Sequence, residues 1–183
     1  MIDGEAQCPL HLVVAFDDDV ARVPALLPRR LVRCQHPAPA KRAASRLFAV
    51  QALYQRDMEA TPEAKLLHEF HQHRLGATIG DAEFNEGEVE FFDDVVKGVI
   101  ARESEIDAAI AAHLPIEWSL ERLDCNVKAI LRAATYELMA RPDVAVGQAI
   151  DSYLDVADAF FGDSEKSFIN GVLDAVAKSA RTA

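Results

Sequence analysis

The residues best suited to chemistry in this chain are the cations of one amphipathic segment, KRAASRLFAVQALYQR, at positions 41–56. At 100° per residue, the apolar side chains of this segment share one face of a helix. Lys41, Arg42, Arg46 and Arg56 lie on a second arc. The pattern therefore predicts a helix that buries one side and offers cations to an anionic partner on the other. An ordinary solvated helix face is the alternative, because runs of charge discriminate weakly between the two.

The charges of the 183-residue chain are unevenly distributed. Its net charge is −11, yet residues 21–56 contain eight basic residues and no acidic one. That segment carries +8, and the rest of the chain carries −19. Such a separation favours an anionic partner at one edge of the molecule and a basic protein partner on the acidic body.

The sequence contains no residue pattern typical of an enzyme or a metal site. Its eight glycines form neither GxGxxG nor a P-loop, and GxSxG is absent. Cys125 is best interpreted as a packing residue rather than a nucleophile. His68 and His71 in HEFHQH can share a helix face, but the HExxH spacing and a carboxylate cluster are missing. We therefore expect a protein that is not an enzyme and that uses no metal or cofactor.

Composition also indicates where the chain works. Cys8, Cys34 and Cys125 are widely spaced and form no CxxC pattern, which favours reduced thiols in the cytoplasm. No apolar run approaches the roughly 20 residues needed to span a bilayer. The acidic first residues lack the basic region of a signal peptide. We expect a soluble cytoplasmic protein.

Apolar spacings of three and four residues recur after residue 41 and predict an all-α fold. The clearest helix follows Asp124, a good capping residue, carries its apolar stripe within 127–138, and ends before Pro142. Residues 1–40 hold five prolines and no sustained period. They predict a flexible extension, or an addition from a misassigned start codon, ahead of a helical domain at 41–183.

Three local expectations follow from the same reading. Thr61 caps a helix that begins at Pro62. Glu137 pairs with Arg141 one helical turn away. Trp118 packs in the core, with a role in stacking on RNA bases as the alternative.

Five sequence blocks together resemble the NusB family of bacterial transcription antitermination factors. They occur in the order RLFAVQALYQ at 46–55, FFDDVVKGV at 91–99, VKAILRAATYEL at 127–138, DVAVGQAID at 143–151 and FINGVLDAVA at 168–177. The resemblance covers about residues 41–180. The family commonly reads INE where this chain has Ile150-Asp151-Ser152, and its arginine-rich start is often denser than that of this chain.

The resemblance implies a compact domain of about seven helices in two three-helix halves. It also implies binding of single-stranded boxA-type RNA from ribosomal RNA leaders, partnership with ribosomal protein NusE, and action on the transcription elongation complex as a monomer or homodimer. The RNA-binding residues expected from it are Lys41, Arg42, Arg46, Tyr54, Lys128 and Phe168.

Two of these residues also fit another interpretation, because Tyr54 and Phe168 lie on apolar arcs and suit a place in the core. Cations that hold phosphates and aromatic rings that stack on unpaired bases are the usual means of binding single-stranded RNA. Two other functions stay open at this point. One is an RNA-binding module like that of ribosomal RNA methyltransferases, and the other is a helical protein-interaction module without RNA binding.

Overall fold

The structure of the chain is a computed structural model, which describes residues 37–75 and 86–181. Within these ranges it contains seven α-helices, a π-helical turn at His71–Leu75 and a 3-10 turn at Leu120–Arg122. The helices are α1 at Pro37–Glu59, α2 at Glu63–Phe70, α3 at Glu86–Ala101, α4 at Glu103–Ala111, α5 at Cys125–Ala140, α6 at Val146–Asp158 and α7 at Asp163–Arg181. The all-α prediction is confirmed.

The first helix is longer than the sequence pattern indicates, because it begins at Pro37 rather than at Lys41. Beyond its C-terminus Ala60 has a φ of +51°, a left-handed conformation that turns the chain towards α2. The predicted cap at Thr61 is wrong. Pro62 occupies the cap position without a side-chain bond, and the Thr61 hydroxyl donates to Glu59 over 3.3 Å. Residues 1–36 of the predicted extension lie outside the described residues, so the boundary at residue 40 stays a prediction.

Helix α5 is the central element of the fold. Its predicted cap is confirmed, since an Asp124 carboxylate oxygen accepts the backbone N–H groups of Asn126 and Val127 over 2.8 and 3.4 Å. Every residue from Ala129 to Leu138 is buried, so α5 is covered by other helices on all sides rather than along a single stripe. The buried set includes the charged residue Arg132, which lies off the apolar stripe.

Two sets of helices pack around α5. Helices α1, α2 and α3 form the first half, α6 and α7 pack on α5 in the second, and α4 lies against α5. Their apolar side chains form one continuous core. Because α1 contacts both α3 and α5, it joins the two halves. This arrangement agrees with the predicted pair of three-helix halves.

A close helix crossing and a terminal cap fix the position of α5. At Gly98 of α3, an added Cβ would lie only 2.0 Å from the Tyr136 ring, so only glycine permits this approach. At the other contact, the Arg181 guanidinium of α7 donates to the carbonyl oxygens of Leu138, Arg141 and Val144. These bonds satisfy carbonyl groups at and just beyond the end of α5.

None of the helices in 37–75 and 86–181 has the length and apolar character needed to cross a membrane.

Candidate nucleic-acid interface

The predicted RNA-binding residues lie at two ends of the α1–α5 pair. Arg46, in the first half of α1, pairs with Glu137 near the end of α5. Asp57, near the end of α1, contacts Arg132 at the middle of α5 and Lys128 in its first turn. The two helices are therefore antiparallel. From Arg42 to the end of α1 at Glu59 the helix rises by about 25 Å, at about 1.5 Å per residue.

We call the two regions the arginine end and the aromatic end. The arginine end contains Arg42 and Arg46 of α1 and Arg141, which directly follows α5. The aromatic end contains Lys128, Trp118 and Phe168, because α7 runs parallel to α5 and starts beside the loop before it. The structure thus does not bring the six predicted residues together in one site.

At the arginine end, three guanidinium groups surround the ring of Phe91 on α3. The ring centroid lies 5.8 Å from the Arg42 Cζ, 5.2 Å from the Arg46 Cζ and 5.6 Å from the Arg141 Cζ. Phe91 itself is 4% exposed. Cations within about 6 Å of an aromatic centroid are attracted by the ring quadrupole, so Phe91 helps to hold a cluster of like charges.

The expectation that Arg46 lies on a solvent-facing arc is wrong. The residue is 3% exposed, and its guanidinium forms two hydrogen bonds, of 2.6 and 3.0 Å, with Glu137, which is 0% exposed. Helical periodicity placed Arg46 off the apolar face of α1, but α5 and α6 cover that side as well. A role for Arg46 in RNA contact stays a prediction, and in this structure its hydrogen-bonding groups face a carboxylate.

Tyr153 of α6 completes this buried group. Its ring lies 5.8 Å from the Arg46 guanidinium carbon, and its hydroxyl is buried beside the Arg46–Glu137 pair. Burial raises the pKa of the Tyr153 hydroxyl well above its ordinary value, and the neighbouring charge of Glu137 raises it further. Tyr153 therefore stays neutral and protonated and packs as part of the core.

The other two arginines differ in their partners. Arg141 donates to Asp94 over 2.9 Å and to Asp143 over 3.1 Å, so the predicted pair of Arg141 with Glu137 is wrong. Hydrogen bonds from Arg141 lower the pKa of the Asp143 carboxyl and keep it ionised. Arg42 is exposed and has no salt bridge to any described residue. It is thus the guanidinium of this cluster that is open to a phosphate. The side chain of the predicted residue Lys41 lies outside the described residues.

At the aromatic end, the prediction that Trp118 packs in the core is wrong. The side chain is 49% exposed, and its ring lies 5.7 Å from the ring of the half-buried Phe168. The Trp118 backbone N–H donates to the Pro115 carbonyl over 2.8 Å, which fixes a turn on the surface. Ile116 in the same turn is fully exposed. The two rings form an aromatic surface of the kind that accepts an unpaired base.

Lys128 and Tyr54 are less open than the sequence suggests. The Lys128 ammonium lies 3.5 Å from Asp57 and is largely covered. It belongs to an ionic network around Arg132, which also contacts Asp107 over 2.7 Å. Tyr54 is half-buried against the core, in line with the alternative interpretation of this residue. Both keep their proposed RNA role only as a prediction.

Three exposed carboxylates lie away from these ends on α6. Asp151, Asp155 and Asp158 follow one another on the outer side of this helix, beside a groove to α7 lined by Asp163 and Lys166. Burial raises the pKa of the Asp155 carboxyl, and the charges of Asp151 and Asp158 raise it further. This side of the molecule repels phosphate and attracts basic protein.

Among the histidines of HEFHQH, His71 in the π-helical turn contacts a carboxylate. His71 Nε2 lies 2.6 Å from an Asp93 carboxylate oxygen, and Lys97 lies 2.8 Å from the other oxygen. Within 37–75 and 86–181, no group of three histidine, cysteine, aspartate or glutamate side chains has the arrangement of a metal site. The contact between His71 and Asp93 joins the π-helical turn to α3.

These features define an all-helical binding protein with an arginine end, an aromatic end and an acidic side. Comparison with known proteins gives its family. The NusB family profile matches residues 43–178. The transcription antitermination protein NusB of Sphingopyxis alaskensis (strain DSM 13593 / LMG 18877 / RB2256) is 62% identical over 140 residues, which cover 76% of this chain and 94% of that protein. The chain belongs to the NusB family of transcription antitermination proteins.

Solved structures agree with this assignment. The structure of T. maritima NusB has a TM-score of 0.65 and 28% sequence identity, covering 77% of this chain and 94% of that one. A structure of antitermination factors NusB and NusE in complex with dsRNA has a TM-score of 0.63 and 24% identity, covering 76% and 97%. At 24% identity, the second structure shows only that the fold is shared. Members of this family are factors of transcription and not enzymes.

Proposed function

We propose that this protein is a cytoplasmic antitermination factor that binds single-stranded boxA-type RNA together with ribosomal protein NusE at the transcription elongation complex. The observation that carries the proposal is its 62% identity over 140 residues to a transcription antitermination protein. The solved complex of NusB and NusE with dsRNA supports NusE and RNA as partners, since its NusB has the same fold. The choice of a single strand rests on the resemblance of the sequence to the family and on the exposed rings of the aromatic end.

RNA binding uses the two ends of the α1–α5 pair in different ways. At the arginine end, the exposed Arg42 contacts phosphate. At the aromatic end, Trp118 and Phe168 stack on an unpaired base. Phosphate contacts supply affinity, and stacking favours a single strand over a duplex.

NusE binds the acidic side, where the exposed Asp151 and Asp155 of α6 suit a basic protein, whereas Asp158 is paired with Lys166. A basic partner on this side masks carboxylates that repel RNA, so the two ligands bind cooperatively. A tenfold gain in RNA affinity corresponds to about 1.4 kcal/mol of coupling.

Fluorescence anisotropy with labelled RNA tests this function. A boxA RNA and a scrambled RNA of equal length are each titrated with the protein, with NusE, and with both. We expect the mixture to bind boxA at least tenfold more tightly than either protein alone, and more tightly than the scrambled RNA. Equal and weak binding of both RNAs under all three conditions would instead identify a protein-interaction module without RNA binding.

A further inference from the structure

All three arginines of the arginine end lie within 6 Å of the ring of one described residue, Phe91. Carboxylates hold two of them, because Arg46 is bound by Glu137 and Arg141 by Asp94 and Asp143. Arg42 has no such tether within the described residues. It lies within the electrostatic field of Asp143, and among the described residues its ring contact is Phe91, at 5.8 Å.

A guanidinium that stacks on a ring keeps the N–H groups of its edge available for hydrogen bonds. Arginine can therefore lie against Phe91 and bind a phosphate at the same time. Without the ring, the long side chain of Arg42 samples many rotamers, and ordering it on RNA binding costs more conformational entropy. The ring preorganises the exposed arginine.

We propose that Phe91 is a positioning residue for RNA binding, which orients the Arg42 guanidinium towards a backbone phosphate without itself contacting RNA. This inference rests on the proposed function and adds to it a residue that is almost fully buried.

The neighbouring Phe92 provides a matched control. It lies on the same helix and is 0% exposed, and its ring stacks on Phe70 with centroids 5.5 Å apart. No described arginine lies over it. Phe91→Leu and Phe92→Leu thus remove the same group from the same core, but only the first removes the surface under Arg42.

The experiment measures dissociation constants for boxA RNA by fluorescence anisotropy, using the full chain with NusE and working below the melting transition of each variant. We expect Phe91→Leu to weaken binding roughly two- to fivefold, as a contribution of about 0.5–1 kcal/mol from an exposed cation–π pair implies. Phe92→Leu should bind as the wild type does, and Phe91→Tyr, which keeps the ring, should restore affinity.

A double-mutant cycle with Arg42→Ala separates positioning from general loosening of the core. In the Arg42→Ala background, Phe91→Leu should change RNA affinity by less than about 1.5-fold, since the group that it orients is absent. Should Phe91→Leu fail to fold, Phe91→Met replaces it in the same cycle and keeps the side-chain volume. An undiminished loss in the Arg42→Ala background, or equal losses for Phe91→Leu and Phe92→Leu, would overturn the inference alone. A wild type that binds no RNA would overturn the proposed function, and this inference with it.

Discussion

Breaking the buried ion pair between α1 and α5 should be one of the most destabilising single changes in this protein. Arg46→Met keeps an unbranched apolar stem of similar length but leaves Glu137, at 0% exposure, without its cation. Removing one partner of a buried pair costs about 3–5 kcal/mol, because the remaining charge is desolvated without compensation. For a chain of this size, 1 kcal/mol lowers the Tm by roughly 2–4 °C. We therefore expect the Tm to fall by about 6–20 °C, as measured by circular dichroism at 222 nm.

Two further variants test the reason for this loss. Arg102→Met removes an arginine of similar chemistry from an exposed pair with Glu105 at 2.8 Å, and should cost less than about 1 kcal/mol. The double variant Arg46→Met/Glu137→Leu removes both charges and should recover most of the lost stability, since apolar residues of similar volume often replace a buried pair without loss. If Arg46→Met melts within about 2 °C of the wild type, or if the double variant is no more stable than the single one, the reasoning is refuted.

Three other changes have expected outcomes. Arg42→Ala should lower the slope of log affinity against log salt by about 0.7 for each single-strand phosphate contact that is lost. The control is Arg122→Ala, which removes an exposed arginine bonded to a backbone carbonyl. Equal slopes for the two variants would argue against phosphate binding at the arginine end. Trp118→Ala should weaken RNA binding by about 1–3 kcal/mol in the same titrations but leave the Tm nearly unchanged, because the side chain is exposed. A large fall in Tm would show that Trp118 packs in the core. Burial raises the pKa of the Asp155 carboxyl in the folded protein, so the ionised carboxylate destabilises the fold once the pH has risen through that pKa. Asp155→Asn removes this charge and should therefore stabilise the protein at pH 7, by less than about 1 kcal/mol because the side chain is exposed. Urea unfolding should show this gain vanish below the unfolded pKa of about 4, and a gain that persists there would contradict the assignment.

Local signals in the sequence predict much of the fold. Asp124 before an apolar stripe predicts the start of α5, and Pro142 predicts its end, because a capping carboxylate and a proline act on the backbone next to them. Burial on every side of α5 could not be predicted in this way. A helix that is covered all round shows no polar stripe to mark its partners, and Arg132 and Glu137 keep their charge inside only because other helices supply the counter-charges.

The candidate site is less predictable for the same reason. A guanidinium on a helix surface and a guanidinium in a buried pair look alike in sequence, so the difference between Arg42 and Arg46 depends on Glu137, which lies 91 residues from Arg46 along the chain. The error for Trp118 is the opposite one, since a side chain predicted to be buried is exposed. It lies in a connector without helical period, and only the turn at Pro115 decides that its ring meets Phe168 at the surface.

The ion pairs also limit how the +8 segment can attract RNA. Arg46 and Arg56 belong to this segment, yet both pair internally, with Glu137 and with Glu103. Their charge is thus largely neutralised where it lies, and its field falls off quickly at physiological salt. Among the described residues of the segment, Arg42 alone offers a guanidinium without a salt bridge. One phosphate contact gives little affinity, so strong RNA binding needs the aromatic end, the rest of the basic segment or a basic partner, and the NusE dependence proposed for this protein follows from that shortage of free cations.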